Sequence, residues 1–442
     1  MGKPQATAKK KSNSSSLQRP RESSIRILFL ELKPDKQTEA QLKALASTAS
    51  KLWNEITYER RQQFFQTKQV DLKGTYKKYY EKYKKLIGSA TTQQILNKNN
   101  ETWKAFFALL KKRHKVNPPG YKKHGKSRKL RCILRNDQYK IDWENRTVEI
   151  KGLGAVGRIK VEFNTNKHLD GKQGRAELFY DPDFRKWYLI VSIYPEKKRY
   201  PRDNWFVVPV KPLGNLVAGI DLGINNLFAV YVSDGTSCLV NGRPLKAIAY
   251  YWQRKIAQYR SVLAKHGLHT SKRLRRMFKK WKRQSKDYIN KAVRKLVHTL
   301  WLKGVAKIVV GRPKSIARNK GNFLVTNVWS YDYAIQRLKD VAWEYGIEVV
   351  EVDEAYTSTT DPFTGKIVPK RRVKRGLFLV ETPNGLKTVN ADVLGAYNIL
   401  MKAITPSPPS EADRGNRPKT GPGGINPPNL PALASPRRIF AL

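Results

Sequence analysis

Asp221 lies in an apolar stretch of the sequence, and this residue restricts the folds that the chain can adopt. Val217 and Ala218 precede it, and the apolar residues 227–230 follow the turn after it. A carboxylate on such a strand is costly to bury unless it is paired or bound to a metal ion. Asp and Gly are also ordinary turn residues, so Asp221 with Gly223 is weak evidence when taken alone.

Two further acidic residues occupy comparable positions later in the chain. Glu354 follows an apolar strand-like segment, 347–352, and Asp392 begins a mostly apolar helical segment, 392–404. Singly, Glu354 could be a solvated strand end and Asp392 a plain charge in a first helical turn. Together with Asp221 they place three carboxylates at strand or helix ends of one α/β region. A two-metal nuclease requires such a set, because Mg²⁺ prefers oxygen ligands and two ions about 4 Å apart can promote hydrolysis.

The charge of the chain indicates the kind of partner that it binds. Its 442 residues include 87 Lys and Arg against 35 Asp and Glu, a formal net charge of +52. Such a charge opposes compaction unless a polyanion is bound, and nucleic acid is the obvious polyanion, because phosphate contacts release counterions. A surface that only keeps a protein soluble needs far less charge. A hydrophobic content of 40% is enough to build folded cores.

The composition excludes several classes of protein. Cys132 and Cys238 are the two cysteines, too few for a disulfide framework or a four-cysteine zinc site. No apolar run approaches the roughly 20 residues of a membrane span. The first residues are polar and basic, without an apolar segment of the signal-peptide type. We therefore expect a cytoplasmic protein with no membrane partner.

Hydrophobic periodicity predicts a β-domain with helices inserted near its start. Alternation predicts a strand over 24–32, and spacings of three and four predict helices from about 38 to 114. Short strands are predicted after them at 131–135, 139–143, 147–150, 158–163, 175–180 and 186–194. Regular short strands suggest a barrel or a sandwich, and the single strand before the helices suggests a helical insertion.

The second half of the chain has an α/β pattern. After a linker at 209–214, we predict a hairpin (217–222 with 227–233), a long basic helical stretch broken near Gly267 (about 247–303), strands at 307–310 and 347–352, and helices at 331–345 and 392–404. The two ends are rich in Ser, Lys and Pro, and we predict that both are disordered.

Basic residues interleaved with aromatic rings are the candidates for nucleic-acid contacts. Lys77 and Lys78 lie among several tyrosines, and a basic cluster near Phe278 and Trp281 includes Arg273, Arg276, Lys279, Lys280 and Arg283. This mixture offers charges for phosphates and rings for base stacking. A solvated helix face is an equally good interpretation for any one of these residues.

These motifs resemble those of a known family. Residues 219–226 resemble the first RuvC motif of TnpB and compact type V CRISPR nucleases, residues 352–358 resemble the segment entering their zinc ribbon, and residues 390–400 resemble their third RuvC motif. The three occur in the family's order, and the resemblance covers roughly residues 24–403. It implies an RNA-guided DNA endonuclease with two Mg²⁺ ions at the catalytic residues Asp221, Glu354 and Asp392, which cuts target DNA beside a short adjacent motif.

The resemblance also implies a fold class and partners. The expected fold is multi-domain α+β: a β-barrel wedge domain with a helical insertion, then an RNase H-like (RuvC) α/β nuclease domain with a degenerate zinc-ribbon insertion. The implied boundaries are a disordered N-terminus (1–22), the wedge domain (23–45 and 127–210), the helical recognition insert (46–126), the nuclease domain (215–355 and 386–403), the ribbon remnant (356–385) and a disordered tail (404–442). The expected partners, inside a prokaryotic cell, are double-stranded target DNA and a structured guide RNA held by one protein molecule, with no oligomer required.

The second catalytic acid is where the sequence departs most from the family. Many relatives have this glutamate after the strand that ends here at Gly311, and a variant has glycine there and takes its glutamate from just before the Tyr-Thr-Ser segment. Glu354 matches that variant. Asp353 is the alternative, and Glu351 is a poorer one because of strand alternation.

The zinc ribbon is also degenerate. Where the family has four cysteines, this chain has Asp361, Thr364, Glu381 and Asn384, which are poor zinc ligands. We predict a hairpin without zinc, held by Phe363, Phe378 and the basic residues 370–372.

A candidate reader of the adjacent DNA motif follows from the resemblance. Gln93, Gln94 and Asn97 lie within one turn of a predicted helix. Amide side chains can bond adenine edges in the major groove. Ordinary polar residues of a helix surface are at least as good an explanation.

Rival functions remain open at this stage. Gly311 and the lost cysteines favour a catalytically inactive RNA-guided DNA-binding protein, whereas retention of three acids opposes it. A transposase is a second rival. A plain RNase H-like nuclease or RNA-binding protein is a third, and it leaves the first half of the chain unexplained.

Overall fold

A computed structural model describes residues 25–112, 114, 116–123, 129–165, 169, 171–194, 211–312, 331–374, 376–404 and 429–439. The predictions for residues 1–22, for the first two residues of the linker and for most of the tail lie outside these residues. No helix in the described part of the chain is long and apolar enough to cross a membrane.

The first half forms one antiparallel sheet and three helices. The strands are β1 (Arg26–Lys33), β2 (Arg131–Leu134), β3 (Tyr139–Asp142), β4 (Thr147–Ile150), β5 (Ile159–Asn164), β6 (Lys172–Asp181) and β7 (Lys186–Tyr194), in the order β2-β6-β7-β1-β5-β4-β3. The helices are α1 (Lys36–Thr67), α2 (Leu72–Ile87) and α3 (Ser89–Lys111). All seven predicted strands and the helical block between the first two are confirmed.

Hydrogen bonds between strands do not close this first sheet into a barrel within the described residues. β2 and β3 lie at its opposite edges and do not pair within the described residues. The short connection from Leu134 to Tyr139 can nevertheless span at most about 18 Å, so the edges must approach each other there. The Tyr139 hydroxyl of β3 donates to the Gly174 carbonyl of β6 at 2.8 Å, which links the two sides of the opening.

The helices begin at capping residues and share a core with the first sheet. Asp35 caps α1 by accepting from the Thr38 N–H at 2.7 Å. The helix begins at Lys36, ten residues before the predicted start of the helical insert at 46. Buried Leu42 and Trp53 of α1 pack in the same core as Leu28 of β1.

The second half forms a mixed sheet with helices on both faces. Its strands are β8 (Leu216–Asp221), β9 (Asn226–Val232), β10 (Ser237–Asn241), β11 (Val305–Arg312), β12 (Glu348–Asp353) and β15 (Arg437–Ile439), in the order β12-β11-β8-β9-β10-β15. The helices are α4 (Arg243–Lys265), α5 (Lys272–Leu302), α6 (Tyr331–Glu344), α7 (Ala391–Ile404) and α8 (Leu430–Ala434). The predicted β8–β9 hairpin and the helix break near Gly267 are confirmed.

Two core clusters lie on opposite faces of this second sheet. One contains residues of α5 and α6, and the other contains residues of α7 and α8. A separate hairpin, β13 (Leu377–Thr382) with β14 (Gly385–Asn390), precedes α7. It extends to residue 390, five residues beyond the predicted end of the ribbon remnant at 385.

The tail prediction is wrong for residues 429–439. These residues form α8 and β15, and β15 adds to the edge of the second sheet beside β10. The physical reason is local: Leu433 and Ile439 supply apolar side chains that are buried against the sheet. Proline enrichment across 404–442 masked this short apolar segment in the sequence.

Two polar contacts tie the first sheet to the second half. Glu344, whose side chain is 1% exposed, pairs with Arg26 of β1 and with Arg294 of α5. Asp181 and Asp183, at the turn between β6 and β7, accept from basic residues of α5. Both contacts place buried acids between basic side chains.

Candidate active site

The three candidate carboxylates lie at one end of the second sheet. β8 ends at Asp221, and β12, two strands away, ends immediately before Glu354. β8, β11 and β12 are parallel, so their carboxyl ends lie at one edge of the sheet. Asp392 lies in the first turn of α7, which packs across β8. All three acidic residues line one cavity of about 450 Å³.

Close packing of α7 on β8 depends on two glycines. A Cβ at Gly219 would lie 2.1 Å from the carbonyl oxygen of Ala396. A Cβ at Gly395 would lie 3.0 Å from Asp221 Oδ2. The helix can therefore lie directly against the Asp221 carboxylate, which limits the access of water to it.

Asp221 is a carboxylate whose negative charge is poorly compensated. Burial raises its pKa well above the usual range, and the nearby carboxylates of Glu354 and Asp392 raise the pKa further. The Leu222 N–H and the charge of Arg372 oppose this shift without cancelling it. A bound cation would favour the ionised form.

Glu354 has the same electrostatic character. Burial raises its pKa to about 7, with a further contribution from Asp353 and an opposing one from Lys402. Its Oε2 atom is buried and accepts no hydrogen bond within the described residues. A buried carboxylate oxygen without a partner, in a cavity with two other carboxylates, fits a hard divalent cation.

The carboxylates are less tightly gathered than the sequence predicted. In the described part of the chain, no group of three or more His, Cys, Asp or Glu side chains is arranged to hold a metal ion. Within the cavity, Asp392 Oδ2 accepts a hydrogen bond from Asn226 Nδ2 at 2.7 Å. The expected cluster small enough for two ions is therefore not formed by these side-chain positions, although the three residues share the cavity.

The neighbouring acids have other partners, as strand alternation predicts. Glu351 pairs with Arg312 at 2.7 Å and with Lys339. Asp353 is exposed, and its carboxylate accepts from the Ala355 N–H at 3.1 Å. Neither residue lines the cavity.

The structure explains why residue 311 is a glycine, which the sequence alone did not. Its partner in register is Val352 on β12, so it lies beside the start of the Glu354 segment. A Cβ at Gly311 would lie 3.1 Å from Glu354 Cβ and 2.5 Å from Ile399 Cδ1. Residues 311 and 354 therefore compete for one space at the sheet edge.

Two residues of α7 that the sequence analysis missed hold the Glu354 segment. Lys402 Nζ donates to the carbonyls of Asp353 at 3.1 Å and Ala355 at 2.6 Å, on either side of Glu354. Asn398 Nδ2 donates to two carbonyls of the turn that follows. Asn398 lies in the third motif and could have been noticed there, whereas nothing in the sequence distinguishes Lys402 from other lysines.

The ribbon remnant is organised around one buried carboxylate. Asp361 is fully buried and accepts from the N–H groups of Phe363 at 2.9 Å, Thr364 at 3.1 Å and Glu381 at 2.8 Å. Arg371 donates to Asp361 at 2.8 Å and to Glu381 at 2.6 Å. The Arg371 guanidinium therefore joins Asp361 and Glu381, which stand at two of the positions compared above with cysteines of the zinc ribbon.

The predicted supports of this hairpin are partly corrected. Phe378 is fully buried, as expected, and Arg371 of the basic run makes the ion pairs. Phe363 is exposed, because the turn after Asp361 directs it away from the core.

We expect Arg371→Ala to loosen the hairpin, because it leaves the buried Asp361 carboxylate without its cation. Hydrogen exchange over residues 377–390 should accelerate, whereas Lys370→Ala, which removes a neighbouring exposed charge, should change it little. Elemental analysis of the purified protein should find no stoichiometric zinc; one zinc per chain would contradict this account of the hairpin.

Two of the predicted nucleic-acid ligands contact other residues of this chain. Lys279 pairs with Asp181 at 2.6 Å and with Asp183 at 2.7 Å, and Arg276 donates to the Asp183 carbonyl. These two basic residues attach α5 to the β6–β7 turn, and their assignment as phosphate ligands stays a prediction. Lys280 remains exposed.

The other candidates have mixed surroundings. The guanidinium of Arg273 lies 5.0 Å from the Tyr259 ring centroid, and that of Arg283 lies 4.6 Å from the Phe184 centroid. Lys78 pairs with Glu59 at 2.7 Å. Lys77 is exposed on the same helix.

The predicted motif reader lies on α3 beside the first sheet. Gln93 lines a second cavity of about 660 Å³, between the α2–α3 junction and loops of the sheet. Lys84, Arg135 and Lys151 line it too. Gln94 is half-buried and Asn97 is exposed.

Comparisons with known proteins identify similar sequences and a similar fold. Residues 195–317 match the family OrfB_IS605, described as "Probable transposase", and residues 331–399 match the Cas12f1-like TNB domain. The fold is similar to that of a solved Cas12f1–sgRNA–target DNA complex, with a TM-score of 0.57 and 13% identity over 85% of this chain and 98% of that one.

A curated relative gives the family. The chain is 38% identical over 409 residues to a TnpB-like protein, ORF457, of Acidianus two-tailed virus, a match that covers 86% of this chain and 87% of the relative. Over so much of both chains, this identity means that the protein belongs to the TnpB-like family.

Proposed function

We propose that this protein is an RNA-guided DNA endonuclease of the RuvC type, with Asp221, Glu354 and Asp392 as its catalytic residues. The observation that carries the proposal is the group of poorly compensated carboxylates in one cavity of a very basic TnpB-like chain. The strand order β10-β9-β8-β11-β12, with acids at the ends of β8 and β12, supports an RNase H-like nuclease core.

The cavity residues have distinct tasks in this proposal. Asp221, Glu354 and Asp392 would hold Mg²⁺, which when bound supplies Lewis acidity for phosphodiester hydrolysis. Asn226 fixes one oxygen of Asp392, so the other oxygen is left for the cavity. Lys402 fixes the backbone on both sides of Glu354. These contacts restrict the rotamers of the carboxylates before substrate binds.

Guide RNA and double-stranded target DNA are the proposed partners. The fold is similar to that of a protein solved with both an sgRNA and target DNA. The charge of +52 supplies the electrostatic attraction that such partners require. We propose one protein molecule per RNA, with the first sheet and α1–α3 serving as wedge and recognition regions and the second sheet as the nuclease region.

Reading of a short adjacent DNA motif is assigned to α3 in this proposal. Gln93, Gln94 and Asn97 carry amides that can bond base edges, and basic residues lining the second cavity could hold the flanking phosphates. In a cleavage screen with a randomised motif, Gln94→Ala should change the preferred motif. An unchanged preference and rate would remove Gln94 from the reader.

Exposed lysines of α5 are proposed to contact RNA phosphates. Replacing Lys280 and Lys282 with glutamine should weaken RNA binding and reduce the slope of log affinity against log salt by about 0.7–0.9 for each lost contact. Lys295→Gln, which removes an exposed charge from the far end of α5, is the control. An equal slope in all variants would mean that Lys280 and Lys282 only face solvent.

The function is tested by purifying the protein from cells that contain its native locus and sequencing the RNA that it protects. One dominant transcript, reprogrammed at its guide segment, should direct Mg²⁺-dependent cleavage to a matching DNA. Absence of any protected transcript would refute the guided function. Guided binding without cleavage would instead identify an RNA-guided DNA-binding protein.

A further inference from the structure

The segment 429–439 is an integral part of the second sheet. β15 pairs in parallel with β10, so that Cys238 is opposite Arg437, Leu239 opposite Arg438 and Val240 opposite Ile439. Leu433 of α8 is fully buried in the core that also contains residues of α7. Ser237 Oγ donates to the Ala432 carbonyl at 2.5 Å, and the Asn429 N–H donates to the Tyr231 hydroxyl at 3.0 Å.

Strand alternation directs Arg438 toward the carboxylate face of this sheet. Its partner Leu239 belongs to the core on the α7 side, and Asp221 contacts α7 at Gly395. Ile439 belongs to the core on the α5 and α6 side, and Arg437 shares its parity. The two adjacent arginines therefore point to opposite faces of one strand.

Arg438 lines the same cavity as the three carboxylates. Arg243, at the start of α4, and Arg372, in the ribbon remnant, line it as well. Arg438 is exposed, and no carboxylate in the described part of the chain forms an ion pair with it. Its guanidinium thus faces the cavity without being neutralised by the acids beside it.

The chemistry of such a cavity suits a phosphodiester. Three carboxylates alone would repel a DNA phosphate, whereas a guanidinium offers two parallel N–H donors that match two phosphate oxygens. The fork of an arginine is useful here because the phosphate that joins two nucleotides of the cut strand must be held in one orientation for hydrolysis.

We propose that Arg438 binds the phosphate of the DNA strand being cut, and that the C-terminal strand is thereby part of the nuclease site. This inference rests on the proposed nuclease function and adds to it a substrate ligand from a segment outside the three acidic motifs. β15 then does more than cover the edge of β10.

The experiment compares the full-length protein with three single variants, each loaded with its guide RNA. Arg438→Gln should slow single-turnover cleavage about 10- to 100-fold, the effect of losing a charge-assisted bond of about 1.5–3 kcal/mol. Arg438→Lys should keep an intermediate rate, because it retains the charge without the fork. Arg437→Gln, the matched change on the opposite face, should stay within about threefold of the unchanged protein.

Two further measurements separate the possible failures. Hydrogen exchange of the peptide covering 429–439 should be equally slow in the unchanged protein and in Arg438→Gln; fast exchange in both would mean that the strand is not docked and would overturn the inference. Equal cleavage rates for Arg438→Gln and the unchanged protein, or an equal loss in Arg437→Gln, would overturn it too. If the unchanged protein and Asp221→Ala both fail to cut, the nuclease function itself fails.

Discussion

Replacing Asp221 with alanine is expected to abolish cleavage of guided DNA while leaving guide RNA and target DNA bound. Asp221 lies at the end of the central strand β8, beside both other acids of the cavity. Burial and those two carboxylates raise the pKa of Asp221, so its charged form is unfavourable without a cation. Its proposed task is to hold the metal rather than the substrate. We expect single-turnover cleavage to fall at least about 10³-fold, which corresponds to about 4 kcal/mol of lost transition-state stabilisation.

The matched control for this change is Asp287→Ala. Asp287 is an exposed acid of α5 that pairs with Lys291 one helical turn away, so its loss changes the net charge equally without touching the cavity. Cleavage by this variant should stay close to that of the unchanged protein. Full cleavage by Asp221→Ala would end the site assignment, and loss of RNA binding would indicate a role in folding instead.

Much of the fold could be predicted because its elements follow local patterns. Alternation over residues 24–32 predicted β1, although the side chains that the structure buries there are Leu28 and Leu30. The spacing of Leu42, Leu45 and Leu52 predicted α1. The open edge between β2 and β3 could not be predicted, since it depends on pairings between residues far apart in sequence. The docking of β15 depends on the burial of Leu433 and Ile439, which a proline-rich composition conceals.

The site was predictable where strand alternation decides the direction of a side chain. Alternation favoured Glu354 over Glu351 as the second catalytic acid. In the structure, Glu351 forms ion pairs with two basic residues and does not line the cavity. Alternation could not show that Asn226 donates a hydrogen bond to Asp392, because that bond joins residues 166 positions apart. For the same reason the sequence could not show that Lys279 forms an ion pair with Asp181 in the turn between β6 and β7.

Glu354→Gln is expected to stop cleavage as completely as Asp221→Ala. Glutamine keeps the shape of the side chain but removes the charge that a divalent cation needs. Burial makes the charged form of Glu354 unfavourable, since its pKa is raised to about 7. At pH 8 without added metal, the variant should therefore melt at the same temperature as the unchanged protein or a few degrees higher. Asp353→Asn and Glu351→Gln should both retain cleavage, because neither residue lines the cavity.

A transfer of the carboxylate between adjacent strand ends tests the position of this acid more sharply. Gly311 lies beside Glu354, and a Cβ at position 311 would lie 3.1 Å from the Cβ of residue 354. Glu354→Gly should be inactive, whereas adding Gly311→Glu to it should restore part of the cleavage, because the new carboxylate enters the vacated space. With residue 354 reduced to glycine, the atom nearest to the new Cβ is the Cδ1 methyl of Ile399 at 2.5 Å, which has to move. Gly311→Glu in the presence of Glu354 should crowd the cavity and lower the rate. If the paired change restores nothing although the variant folds and binds its RNA, or if Glu354→Gln still cuts at the full rate, the second catalytic acid lies elsewhere.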